Sequence, residues 1–144
     1  VYLVDTNVLS AGAPSKVAST DLLAWMDERS ARLYLSAVTV AEVEDGVAKL
    51  RREGATRKAA DLEAWLEALL HLYSRRILPF DLAVARVAGR LSDQARGQGQ
   101  APGFADIAIA ATARHHGLTI LTRNLRHFAP LGVDVIDPFS ALPR

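Results

Sequence analysis

The chain has no cysteine. That absence excludes disulfide scaffolds, thiolate metal sites, iron–sulfur clusters and cysteine nucleophiles, and it suits a reducing compartment. Long apolar runs are missing too. No stretch approaches the roughly 20 apolar residues that a membrane-spanning helix needs, and no basic leader precedes the opening VYLV, so a soluble cytoplasmic protein is expected. An excess of one charge is also lacking, since 17 Lys and Arg face 16 Asp and Glu. No whole-molecule field draws the chain toward nucleic acid, and any such surface must be local. HExxH, the phosphate-loop GxxxxGK, a dinucleotide GxGxxG and GxSxG are all absent. Zinc-protease, nucleoside-triphosphate, dinucleotide and serine-hydrolase chemistries therefore lack their residues.

What is present is the composition of a folded domain: 144 residues, half of them hydrophobic and 23% charged, which predicts one domain over residues 1–144. Short apolar runs with strand character recur at Val1–Val4, Leu33–Leu35, Ile77–Phe80, Thr119–Leu121 and Val133–Ile136. Helical patterns lie between them at Ser19–Arg29, Val40–Arg52, Thr56–Tyr73, Leu82–Arg96 and Phe104–His116. Gly54, Asp81 and Gly117 sit where helix ends need them. The alternation predicts an α/β domain in three layers, with a mainly parallel sheet flanked by helices.

In a parallel sheet the ligand site lies beyond the carboxyl ends of the strands, where helix N-termini gather. Asp5 closes the first run in VYLVD, Glu42 lies in the first turn after the second in SAVTVAE, and Asn124 follows the fourth in TILTRN. Asp106 opens the helix that leads into the fourth strand, and a helix antiparallel to the strands begins at that same edge. Each has a plainer reading. Asp5 also fits an N-cap on the DTNVLS turn. Thr39 and Glu42 have the spacing of a capping box, which on its own is the stronger reading of Glu42. Asn124 also fits a turn. Asp106 suits a helix dipole, but the apolar Ile107–Ala111 that follows marks a buried helix, where an unpaired charge is costly.

Converging carboxylates in a crevice either take up protons or recruit a cation. Oxygen donors suit Mg²⁺ or Mn²⁺. Zinc is disfavoured, because His115 and His116 point to different parts of a helix while His71 and His127 stand alone. A carboxylate-held Mg²⁺ that keeps several waters suits the hydrolysis of phosphate esters.

The segments VDTNVLS, SAVTVAEVEDGVAKL, ADIAIAATARHHGLTILTRN and FAPLGVDVIDPF, in this order and spacing, resemble a PIN domain of the VapC toxin group over nearly the whole chain. The resemblance implies a Rossmann-like PIN fold, a Mg²⁺- or Mn²⁺-dependent endoribonuclease, a homodimer, and inhibition by a VapB-like antitoxin. It implies that Asp5, Glu42 and Asp106 are the central acids and metal ligands, with Thr6 and Asn7 as supports beside the first. Thr122 and Asn124 fall in the TxN segment near which many relatives place a fourth acid. Here position 124 is Asn and position 127 is His. The fourth carboxylate is absent or comes from elsewhere, and Asn124 is kept as a site residue that could hydrogen-bond a metal-bound water.

Arg123 and Arg126 beside this segment are candidate contacts to RNA phosphates. Lys49, Arg51, Arg52, Arg57 and Lys58 read as a solvated helix surface. Leu62, Trp65, Leu66 and Leu69 follow core spacing, although such a helix could also offer a dimer or antitoxin groove. A haloacid-dehalogenase-type phosphatase needs a second Asp where Asn7 stands. The other alternative is a weakly or non-catalytic module acting with an antitoxin on operator DNA.

Overall fold

The computed structural model describes residues 1–14 and 19–144. Five strands, β1 (Tyr2–Val4), β2 (Leu33–Ser36), β3 (Ile77–Leu78), β4 (Thr119–Leu121) and β5 (Val135–Ile136), form one parallel sheet in the order β3-β2-β1-β4-β5. The chain builds outward from β1 to β3, then crosses back to lay β4 and β5 on the other side of β1. β1 and β4 therefore flank the point where the winding reverses, the usual crevice of an open α/β sheet.

Strand side chains alternate between faces, and the core divides accordingly. Leu3, Tyr34, Leu78, Ile120 and Val135 pack into one hydrophobic layer, whereas Val4, Leu33, Leu35, Ile77, Leu121 and Ile136 pack into the other. The first layer is covered by α5 (Leu82–Gly97), through Val84, Ala88, Leu91 and Ala95, and by α6 (Phe104–His116). The second is covered by α1 (Thr6–Leu9), by α2 (Thr20–Glu28) through Leu22, Trp25 and Met26, and by the end of α4 (Thr56–Tyr73). Covered on both faces, the strands have no polar side to display, which is why they read as continuous apolar runs.

Residues Ile107 to Ala113 of α6 are all buried, as their apolar character predicts. The helix stops at Gly117, in the left-handed conformation at φ 67°. The amide of Leu118 donates to the Ala113 carbonyl at 2.8 Å and that of Gly117 to Arg114 at 3.3 Å, a Schellman turn that feeds α6 directly into β4. Asp81 caps α5 by accepting from the Val84 amide at 3.0 Å. On α4, Leu66 is buried while Trp65 and Leu69 pack against the second layer, so this stripe serves the core.

One helix starts earlier than the sequence predicts. α3 spans Ala37–Arg52 and is capped by Ser36, whose hydroxyl accepts from the Val38 amide at 3.0 Å. The β-branched run Val38-Thr39-Val40 disguises this start, because such residues favour strands, yet the Ser36 cap and burial decide the outcome.

Candidate active site

Asp5 follows β1, and its amide extends the ladder by donating to the Leu121 carbonyl at 2.9 Å. The carboxylate is buried, and both oxygens have partners. Oδ1 accepts from the Thr6 amide at 2.8 Å, while Oδ2 accepts from the Thr122 hydroxyl at 2.8 Å and from Asn7 Nδ2 at 3.2 Å. Asp5 is thus both an N-cap of α1 and the centre of a tie between β1 and β4. The Thr122 hydroxyl also accepts from the Asn124 amide at 3.0 Å, and Asn7 Oδ1 accepts from the Arg123 amide at 3.0 Å. These bonds fix the two loops at the reversal point against each other.

Glu42 lies in the second turn of α3, and no capping box forms, because Thr39 is inside the helix rather than at its cap. Its partner comes instead from β1's loop: the Thr6 hydroxyl donates to Glu42 Oε1 at 2.6 Å and lies 3.3 Å from the Thr39 hydroxyl. Asp106 is in the first turn of α6 and remains partly exposed. His127, on α7 (Leu125–Phe128), brings Nδ1 to 3.3 Å from Asp106 Oδ2. The expectation that His127 stands alone is therefore corrected. In the sequence it is 21 positions from Asp106, and only the turn after β4 brings the two together.

The electrostatics bind the acids into one group. Burial pushes the Asp5 carboxyl above its ordinary value; the Asp106 charge adds to this, while the bonds from Thr122 and Thr6 and the nearby His127 oppose it. Glu42 stands at the solvent-facing lip. Its carboxyl too is raised, first by partial desolvation and then by Asp5 and Asp106, against the bond from Thr6.

Among the described residues no three Asp, Glu or His side chains are close enough to clasp an ion as they stand. The donor set nonetheless fits a hard dication: Asp5, Glu42 and Asp106 offer oxygen, and the first two carry charge at a cost that a cation would remove.

The remaining residues are placed less tightly. Asn124 is exposed at the start of α7, and its side chain makes no cap bond. The Arg123 guanidinium stacks on Phe139, 3.7 Å from the ring centre. Arg126 lines a cleft of about 270 Å³ together with Asp106, His127, Gln100 and Gly103. Lys49, Arg51 and Arg52 on α3 and Arg57 and Lys58 on α4 are exposed and do not line this cleft, and Arg51 pairs with Glu63.

A three-layer parallel α/β domain with a buried, fully bonded acid at the winding reversal and two further acids coupled to it defines an acidic-site class of small α/β proteins. The chain belongs to the PIN domain family, whose model matches residues 2–131. It is 37% identical over 145 residues to the VapC ribonuclease Y4jK of Sinorhizobium fredii, covering 97% of this chain and 99% of that one. It is 37% identical over 141 residues to Toxin FitB of Neisseria gonorrhoeae, covering 96% and 99%. Among solved structures, FitAB bound to an IR36 DNA fragment superimposes with a TM-score of 0.82 at 36% identity, covering 96% of each chain.

Proposed function

We propose that the protein is a Mg²⁺- or Mn²⁺-dependent endoribonuclease, the toxin of a toxin–antitoxin pair. The observation that carries this reading is the placement of Asp5, Glu42 and Asp106 at the carboxyl edge of the sheet, where burial first, and then the charges of the neighbouring acids, raise the Asp5 and Glu42 carboxyls and leave them in want of a cation. The relative named a ribonuclease and the relative named a toxin support it over almost the full chain.

Asp5, Asp106 and Glu42 would hold the cation, which when bound polarises a phosphoryl oxygen and activates water for in-line attack on an RNA phosphodiester. The bonds from Thr6, Asn7 and Thr122 hold Asp5 in one orientation, so no ordering cost falls on it at the moment of reaction. The Thr6 hydroxyl does the same for Glu42, which is placed to ligate or to orient the attacking water. Arg126, at the mouth of the cleft, is the phosphate contact, and Arg123, whose guanidinium stacks on Phe139, is the second candidate. Products carry 5′-phosphate and 3′-hydroxyl ends.

The partners follow from the same reading: a VapB-like antitoxin, a second copy of the chain, and operator DNA reached through the antitoxin, in the cytoplasm. The solved FitAB structure bound to a DNA fragment supports the DNA-bound assembly. Among the described residues no helix is long and apolar enough to cross a membrane.

The test is RNA cleavage by antitoxin-free protein with Mg²⁺ or Mn²⁺, with and without EDTA, beside Asp5→Asn and Asp106→Asn. Metal-dependent cleavage that falls by about 100-fold or more in either variant is expected. Equal cleavage by all three proteins overturns the site. Intact RNA alongside operator binding by the antitoxin complex would favour the non-catalytic module.

A further inference from the structure

We propose that Phe139 is a positioning residue of the RNA site: its ring holds the Arg123 guanidinium by the face, so that the free edge of that group is presented to a phosphate of the bound strand. The inference rests on the RNA-cleaving reading above and gives a role to a residue which that reading leaves without one.

Three guanidinium groups among the described residues lie over aromatic rings, and they differ in what occupies their edges. Arg29 is 5.2 Å from the centre of the Trp25 ring and pairs with Glu28. Arg76 is 4.9 Å from that of Tyr73 and donates to the carbonyls of Ser30, Leu33 and Leu72. Arg123 lies closest to its ring, at 3.7 Å from the centre of Phe139. It forms no ion pair among the described residues, and it is its backbone amide, not its guanidinium, that bonds to Asn7. A guanidinium seated by its face keeps its in-plane N–H donors for a second partner, and such an edge matches the paired oxygens of a phosphate. In Arg29 and Arg76 those donors meet the protein itself. In the exposed Arg123 they are available.

Both members of the stack are fixed in place. The Arg123 amide donates to Asn7 Oδ1 at 3.0 Å, and Nδ2 of the same side chain donates to Asp5 Oδ2 at 3.2 Å, so Arg123 is one side chain removed from the central acid. Phe139 is half-buried and packs against the second core layer. Its turn is locked by Asp137, whose Oδ1 accepts from the Phe139 amide at 2.9 Å and whose Oδ2 accepts from the Ser140 hydroxyl at 3.1 Å. On one side of the turn the Thr122 amide donates to the Ile136 carbonyl at 3.0 Å, and on the other Trp25 Nε1 donates to the Pro143 carbonyl at 3.0 Å. The ring is therefore a fixed platform, and a long side chain already laid on it loses less freedom when it binds.

The placement complements Arg126. That residue belongs to the cleft beside α6, whereas Phe139 draws Arg123 toward the opposite core layer. Two phosphates of one strand can then be held at separate points along the carboxyl edge, which fixes the register of the bond to be cut.

The experiment reads binding of an end-labelled single-stranded RNA of mixed sequence by fluorescence anisotropy. It uses the antitoxin-free full chain in EDTA, at salt concentrations from about 50 to about 200 mM. Mg²⁺ or Mn²⁺ is then added to the same samples to read cleavage. Arg123→Ala should lower the slope of log affinity against log salt by about 0.7, the share of one single-strand phosphate. Phe139→Leu keeps an apolar side chain but removes the ring, and should weaken binding by about threefold. Arg123→Lys, at an exposed position, keeps the charge without the planar face and should weaken it similarly. Phe139→Tyr should bind as the wild type does. The double variant Arg123→Ala/Phe139→Leu should bind no more weakly than Arg123→Ala alone, because Phe139 acts only through Arg123. Phe139→Leu weakening binding by the same factor with and without Arg123, an unchanged slope in Arg123→Ala, wild-type affinity in Arg123→Lys, or no RNA binding by the wild type overturns the inference. RNA bound with the expected coupling but left intact by either ion keeps the inference and overturns the nuclease reading. RNA cleaved by a wild type whose affinity none of these variants alters does the reverse.

Discussion

The two halves of the acidic site are built differently. On the β1–β4 side, Asp5 is buried, and its carboxylate meets one amide, one hydroxyl and one side-chain amide. On the α6–α7 side, Asp106 and His127 are partly exposed and face each other across 3.3 Å. The first half is organised by the protein before anything binds, at the cost of confining a charge. The second is open to solvent, and its geometry is left to be completed by what enters the cleft. A site split in this way couples a rigid anchor to an accessible mouth, which a nuclease needs if one edge must stay fixed while a long substrate comes and goes.

The comparison breaks most readily at Thr122, the fully buried residue on which the organised half depends. Thr122→Val keeps the shape and removes the hydroxyl, so Asp5 Oδ2 loses its 2.8 Å donor and the Asn124 amide loses its acceptor. Destabilisation of about 1–3 kcal/mol is expected in urea titrations, because buried polar groups are left unpaired. RNA cleavage should fall roughly tenfold as Asp5 loosens. Thr122→Ser should restore both. A fully stable, fully active Thr122→Val would show that Asp5 does not need this bond.

A smaller effect tests the strain of confining charge. Because the Asp5 carboxyl is raised in the folded protein, its contribution to stability is fully present below the ordinary Asp value and is lost as pH rises through the folded value. Glu42 acts in the same direction. In EDTA, the melting temperature of Asp5→Asn measured against wild type should therefore improve by a few degrees between about pH 4 and about pH 7. Mn²⁺ at pH 7 should raise the wild type and leave the variant unchanged, since only a protein that binds the ion is stabilised by it. A difference that stays flat with pH, or moves against the variant, contradicts the raised carboxyl.

Much of this was legible in the sequence, and what was not has identifiable physical causes. The limits of α4 and α6 coincide with the predicted helices, α6 because Gly117 can take the left-handed conformation that ends it. The parallel sheet and its carboxyl edge followed from the alternation of apolar runs with helical patterns. Glu42 was harder to read, because Thr39 and Glu42 imitate a capping box, and only the earlier start at Ser36 puts Thr39 inside α3. His127 was misread because its partner is distant in sequence. The fixed orientation of Asp5 was invisible for a similar reason, since Thr122 lies 117 positions away.

The mildest change sharpens the contrast from the open side. Asn124 occupies the position where a fourth acid would be sought, yet it is exposed, its side chain caps nothing, and its ties to the site are backbone ones, the amide that reaches Thr122 and the carbonyl that accepts from the His127 amide. Asn124→Ala preserves that amide. Stability should shift by less than about 0.5 kcal/mol, as for ordinary surface substitutions, and cleavage should fall by no more than a few-fold, through loss of a hydrogen bond to a water of the bound ion. Measuring kcat and KM for this variant tests whether a fourth corner lies there. If Asn124→Ala instead costs about 100-fold in kcat, the fourth corner lies at Asn124, and the open half of the site is arranged around the residue that caps α7.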